Sequence, residues 1–190
     1  MKGSDNMWPF FIIIGIVLIT FLFVMNTYNK LIQFRNRVRD QWAQIDVQLK
    51  RRADLVPNLV ETVKGYAAHE RETLDAVIAA RNKFQAANTP EAEMEANGEL
   101  TKVLSRLMML SEAYPDLKAN QNFLKLQEDL YGIEEKIAYA RQFYNDSVLT
   151  YNNKREMFPS NIIAGMFNFE SKKFFEADTK DRENPTVSFN

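Results

Sequence analysis

Cysteine is absent from the 190-residue chain, histidine occurs once, and glycine and proline occur six times each. Without thiols there are no disulfides, thiolate metal sites or cysteine nucleophiles, and the compartment is left open. Scarce glycine and proline, beside plentiful Ala, Leu, Glu, Lys, Arg, Gln and Asn, point to helix with little β structure. Neither sign of charge predominates. The formal net charge is −1, so no excess of Lys and Arg is available to neutralise phosphates, and nucleic acid is not expected as a partner. Charged residues at 26% and hydrophobic ones at 46% suit a folded chain rather than a disordered one. The length accommodates one anchor and one domain of average size.

One long apolar run is present. From Trp8 to Met25 the sequence WPFFIIIGIVLITFLFVM carries no charge, and Thr20 is its one hydrogen-bonding side chain apart from the Trp8 indole. Its eighteen residues, as a helix, reach roughly 27 Å against a hydrocarbon core of about 30 Å. A helix is the single-segment structure that satisfies its own backbone there. Trp8, Phe10, Phe11, Ile12, Ile13, Ile14, Ile16, Val17, Leu18, Ile19, Phe21, Leu22, Phe23, Val24 and Met25 form the expected membrane anchor. Trp8 and Tyr28 bracket it where amphipathic rings favour the interface. The run is followed by Asn26-Thr27-Tyr28-Asn29 rather than by small residues in an A-x-A-like pattern, so it reads as a retained anchor and not a cleaved signal. Lys2 precedes it, offset by Asp5, whereas Lys30, Arg35, Arg37, Arg39, Lys50, Arg51 and Arg52 follow. The positive-inside rule then expects residues 1–7 outside, 8–27 across the membrane, and the remainder in the cytoplasm. Lys30, Arg35, Arg37 and Arg39 are the candidate contacts for anionic lipid headgroups.

Beyond Asn29 the apolar residues recur every three or four positions. Leu31, Phe34, Val38, Trp42, Ile45, Leu49, Arg52, Val56, Leu59, Val63, Tyr66 and Glu70 make one stripe, as on a long packed helix. Pro57 interrupts it without shifting its phase, which predicts a kink or a helix restart. Asn88-Thr89-Pro90-Glu91 reads as a boundary, with Thr89 as N-cap and Pro90 at the first helical position. Tyr114-Pro115-Asp116 reads as another. The most regular stripe runs Ala119, Phe123, Leu126, Leu130, Ile133, Ile137, Ala140, Tyr144, Val148, Tyr151. Helices are therefore expected over 28–56, 58–87, 90–113 and 117–155. The predicted fold is all-α: an N-terminal transmembrane helix followed by an elongated antiparallel four-helix bundle over 28–155, helices kinked or restarted at Pro57 and Pro115. If the prolines only kink the chain, two long arms folded at Asn88 result instead. Residues 156–177 read as an amphipathic segment with a short helix from Ile162 to Phe169, serving as a flap over the bundle end or touching membrane or partner. Residues 178–190 read as a disordered tail. The pairs Tyr28-Asn29, Tyr144-Asn145 and Tyr151-Asn152 fall at the ends of the domain, where asparagines are expected to bond between helices.

Several blocks together resemble the LemA family. They are WAQIDVQLKRRADLVPNLVETVKGYAAHE from Trp42 to Glu70, LKANQNFLKLQEDL from Leu117, AxxxYNxxVxxYN from Ala140, and FPSNIIAGMFNF from Phe158. In the first block the match is carried by Trp42, Asp46, Arg51, Arg52, Pro57, Asn58, Tyr66, His69 and Glu70. The resemblance covers roughly residues 8–176 and leaves the end after Asp178 outside it. It implies a bacterial protein with an N-terminal anchor and a helical bundle. It brings no catalytic residues, and family members often encoded beside a membrane zinc protease imply a role in envelope protein quality control.

Candidate chemistry is sparse. His69-Glu70 begins H-E-x-x-H, but Thr73 stands at the second histidine position. Tyr66, three residues before His69, breaks the Glu-x-x-His pattern of di-iron bundles. No G-x-S-x-G elbow occurs, and Gly65, Gly98 and Gly132 are isolated within helical pattern rather than gathered in a phosphate loop. No metal or cofactor is expected. Asp46, Asp54, Glu61 and Glu70 line the first stripe with Lys50, Arg51 and Arg52 among them, and such charges more often pair along a helix or fix register than catalyse. The leading expectation is a non-enzymatic scaffold or adaptor at the cytoplasmic face of the membrane that assembles with copies of itself or with a membrane partner. An accessory of a membrane protease and an enzyme using the acidic residues near Pro57 and His69 are the alternatives.

Overall fold

The computed structural model describes residues 7–176, and among them there are helices and no strand. The helices are α1 (Trp8–Lys64), α2 (Arg71–Ala86), α3 (Pro90–Ser111), α4 (Pro115–Lys118), α5 (Gln121–Glu156) and α6 (Ser160–Met166). The fold is all-α with a long apolar N-terminal helix, as composition and periodicity require. The expected tail over 178–190, and the expected outer segment over 1–7 except Met7, lie outside the described residues.

Two compact units share these helices. The described part of unit 1 is 7–40 with 146–172, and that of unit 2 is 41–145 with 173–176. Unit 1 contains the start of α1, the end of α5, and α6. Its buried side chains include Leu31, Val38, Val148, Tyr151, Ile163, Ala164 and Phe169. Unit 2 is a helical bundle. Val56, Leu59 and Val63 of α1, Leu74 and Val77 of α2, Leu100, Leu104 and Leu107 of α3, Leu117 of α4 and Phe123 of α5 form one apolar core. Removing that surface from water is the main stabilising term.

Local signals set most boundaries. Thr89 accepts a hydrogen bond from the Ala92 N–H at 3.2 Å, and Pro90 is the first residue of α3, where its missing N–H costs nothing. Pro115 opens α4 in the same way, and Asn120 Oδ1 accepts from the Phe123 N–H at 3.0 Å to cap α5.

Of the two outcomes expected at Pro57, a kink or a restart, the restart does not occur. α1 passes through it without a restart, and the break falls instead between Lys64 and Arg71. The expected helices over 28–56 and 58–87 are thus one helix ending at Lys64 and a second beginning at Arg71. Gly65, expected within a helix, lies in the turn after Lys64. Proline removes one intrahelical hydrogen bond and leaves the carbonyl four residues earlier without its donor. That carbonyl belongs to Ala53, and Arg81 of α2 donates its Nε–H to it at 3.1 Å. With Val56, Leu59, Val60 and Val63 all buried, packing carries the helix across the defect.

Arg81→Met should therefore destabilise the protein by about 0.5–1.5 kcal/mol, the net worth of one such bond. In a Pro57→Ala background the Ala53 carbonyl regains its helical partner, and the same change should cost measurably less. A double-mutant cycle by chemical denaturation in detergent checks this, and additive effects would refute the link.

Candidate functional site

In unit 1 no side chain of the apolar window that begins α1 is buried. Burial starts just past it, at Thr27 and Leu31. Of the four candidate headgroup contacts, Lys30, Arg37 and Arg39 are exposed. Arg35 is half-buried, its guanidinium 5.4 Å from the centre of the Phe169 ring, so it packs by cation–π contact rather than standing free. The Tyr28 ring lies 4.8 Å from that of Phe167 and 5.7 Å from that of Phe169.

Phe169 is placed there by the way α6 ends. Asn168 adopts a left-handed φ of 53°, which asparagine tolerates better than most residues. The Phe169 N–H bonds the Ala164 carbonyl at 2.9 Å and the Asn168 N–H the Gly165 carbonyl at 3.3 Å, a Schellman closure. The chain then leaves α6 extended and is held by α5. Tyr151 Oη donates to the Glu170 carbonyl at 2.8 Å, and Arg155 Nε to the Phe169 carbonyl at 2.8 Å. Asn152 donates through Nδ2 to the Lys172 carbonyl at 2.8 Å and accepts the Lys172 N–H at 3.0 Å through Oδ1.

Unit 2 holds its extended residues with the same pair of side chains. Tyr144 Oη donates to the Lys173 carbonyl at 3.0 Å, and Asn145 exchanges two bonds with Phe175, at 3.0 and 2.8 Å. An asparagine amide offers a donor and an acceptor side by side, as the edge of a strand does. Asn145 and Asn152 were expected to bond between helices; they bond the backbone of the segment after α6 instead. Burial pushes the Tyr144 phenol up to about 12 and raises that of Tyr151, so both remain hydrogen-bond donors at neutral pH.

Elsewhere in unit 2, Trp42 packs 5.4 Å from the Tyr144 ring and 5.9 Å from the Phe175 ring. The carboxyl of Glu93 is raised chiefly by burial and then by Asp46. Asp46 pairs with Lys50 at 2.6 Å, while its Oδ1 and Glu93 Oε2 are buried without a hydrogen-bond partner. An open cleft of about 590 Å³ lies beside them, lined by Lys50, Asp54, Phe84, Gln85, Asn88 and Glu93.

Arg52 is the largest fully buried side chain, 1% exposed, whereas its neighbour Arg51 is exposed. Its guanidinium donates to Thr101 Oγ1 at 3.0 Å, to Glu134 Oε1 at 2.6 Å, to the Asn97 carbonyl at 3.1 Å and to Asn97 Oδ1. One planar fork thereby ties α1 to α3 and α5. The remaining residues of the first block have local tasks. Pro57 and Asn58 are exposed, the Asn58 carbonyl accepting from Thr62 Oγ1 at 2.7 Å. Tyr66 Oη accepts from Asn120 at 2.8 Å, Glu70 accepts the Tyr114 hydroxyl at 3.0 Å, and His69 is exposed. Asp54 and Glu61 are also exposed, Glu61 lying 3.7 Å from Lys64. Among the described residues no three His, Asp or Glu side chains gather where they could hold a metal ion.

Two outcomes follow. Arg52→Leu should cost about 2–4 kcal/mol, since Asn97 is left buried without its partner while Glu134 can turn to water; Glu134→Gln, which keeps an acceptor, should cost under about 1 kcal/mol. Denaturation curves of the two variants check the order. Replacing both Asn145 and Asn152 by Ala should free the extended segment and raise its rate of limited proteolysis beyond Glu170 with little change in helix content by circular dichroism.

The chain matches the LemA family over residues 41–189, beginning after the apolar run and continuing beyond Asp178, where the resemblance drawn from the sequence had stopped. Protein LemA of Metamycoplasma hominis is 26% identical over 173 residues, covering 90% of this chain and 78% of that protein. Magnetosome protein MamQ 2 of Paramagnetospirillum magneticum is 22% identical over 175 residues, covering 78% of this chain and 64% of its own length. Magnetosome protein MamQ of Magnetospirillum gryphiswaldense is 22% identical over 174 residues with the same coverage. The family match covers most of the chain, and this protein belongs to the LemA family.

Proposed function

We propose that the protein is a non-enzymatic scaffold held in the bacterial inner membrane by Trp8–Met25, with its N-terminus outside and its helical bundle at the cytoplasmic face. The observation that carries this reading is the apolar window of α1: none of it is buried by the rest of the chain, and the same helix continues into packed structure. Surface of that extent calls for lipid. The basic residues exposed just beyond it, Lys30, Arg37 and Arg39, support the orientation and give anionic headgroups a place to bind.

Several polar residues that could have carried chemistry are engaged in structure. Arg52 joins helices, Glu70 holds Tyr114, and the Tyr-Asn pairs hold extended backbone. Self-association is supported by Tyr131, Tyr139 and Phe143, exposed aromatics spaced along α5. Two relatives are named as magnetosome proteins, which fits a role in building or organising a structure more readily than in turning over a substrate.

The absence of cysteine makes the test direct. In intact cells a membrane-impermeant maleimide should label Ser4→Cys at once and Lys125→Cys only after lysis; the opposite pattern overturns the orientation. Crosslinking in native membranes should give a discrete oligomer or one partnered species, and a strictly solitary monomer would overturn the scaffold reading.

A further inference from the structure

From Met157 to Phe169 the sequence MFPSNIIAGMFNF carries no charge, although Lys154, Arg155 and Glu156 precede it and Glu170, Lys172 and Lys173 follow closely. α6 lies within this stretch and has an inverted surface. Ser160, Ile163 and Ala164 are buried, and Ser160 Oγ donates to the Lys154 carbonyl at 2.6 Å, tying the helix to the end of α5. The outward side is apolar: Phe158 is 80% exposed, Met166 67%, Met157 62% and Ile162 53%. A helix facing water normally turns polar residues outward, and this one has none to turn except Asn161.

The place of this surface in unit 1 indicates what covers it. Phe167, which closes α6, packs on Tyr28 at 4.8 Å, and Tyr28 is three residues, about 4.5 Å of helix rise, beyond the last residue of the apolar run. Thr27 is buried and Val24 half-buried, so packed chain reaches back over the final turn of that run. Phe169 lies between Tyr28 and Arg35, and the chain from Phe169 back through Phe167 into α6 starts from the level at which the anchor leaves the bilayer. The end of α6 therefore lies beside the helical turn that follows the apolar run.

We infer that Met157–Phe169 is a second membrane contact: a charge-free tip that seats Phe158, Ile162 and Met166 in the boundary between headgroups and acyl chains. The occupant is the lipid bilayer itself. This rests on the reading of Trp8–Met25 as a membrane span. It gives the protein two attachments, a spanning helix and a shallow tip, and two attachments restrict tilt and rotation of unit 1 where one helix alone would not. The tip supplies apolar area and Lys154 and Lys172 supply charge, the combination by which interfacial helices hold anionic membranes.

Full-length protein in vesicles of phosphatidylcholine and phosphatidylglycerol, with an environment-sensitive fluorophore on single cysteines, tests the inference. Labels at Ile162→Cys and Met166→Cys should be quenched more by lipids with a nitroxide near the headgroup than by lipids with one deep in the chain, at a depth of about 5–10 Å. A label at Leu18→Cys should show the reverse preference, and one at Met109→Cys, exposed in unit 2, should respond to aqueous iodide alone. If the α6 labels respond to iodide as Met109 does, or are shielded from both iodide and lipid nitroxides, water or protein covers the tip and the inference fails. If the Leu18 label is not deep, the anchor reading itself fails, and the two outcomes are read independently.

Discussion

A peptide backbone surrounded by hydrocarbon satisfies its N–H and C=O groups within its own helix or within a closed barrel. For the apolar start of α1 that leaves helix alone, and the consequence extends well beyond the apolar run. α1 continues without interruption to Lys64, and one helical period governs which of its residues are buried. Leu31, Val38, Ile45, Leu49, Val56, Leu59 and Val63 are all buried, spaced by three, four or seven along that helix. A restart at Pro57 would have released the phase. The chain instead keeps the helix and supplies a side chain from α2 to the carbonyl that proline abandons.

The polar residues that distinguish this sequence are concentrated where a purely apolar seam would be ambiguous. Leucine and valine stripes pack in more than one register, since adjacent helical turns present similar surfaces. A buried arginine whose two terminal nitrogens reach four acceptors on two other helices finds them in one arrangement, and misplacement leaves a charge without partners. The Tyr-Asn pairs act similarly on chain that has no helix or sheet of its own. Extended backbone lying on a helix lacks the neighbouring strand that would meet its N–H and C=O groups, and the asparagine amides take that role.

Much of this was legible from residue types. Thr89-Pro90 announced the start of α3, the 3-4 stripes announced α5, and Arg52 stood on the buried stripe of α1 before any partner was known. What misled was judging a proline by its local cost. Pro57 breaks one hydrogen bond, but the residues around it are buried in the core, and tertiary packing outweighs a local defect of that size. The turn at Gly65–Glu70 carried a weaker signal, one glycine within a continuing pattern. Arg81, Asn97, Thr101 and Glu134 were not singled out, because nothing in their own neighbourhoods differs from ordinary helix surface. Their importance comes from residues distant in sequence.

The sequence by itself determined the helical class, the apolar run, the helix starts at Pro90 and Pro115 and the buried stripes of α1 and α5, because periodicity, capping and hydropathy act over one or two turns. Tertiary structure alone decided where the polar groups of that surface go. It turned a helix-breaking proline into a docking point for Arg81, gave Arg52 its partners on α3 and α5, and set the Tyr-Asn pairs against extended backbone rather than against neighbouring helices. Hydrogen bonds of that kind need two groups within about 3 Å of one another, and only folding brings together residues that lie tens of positions apart.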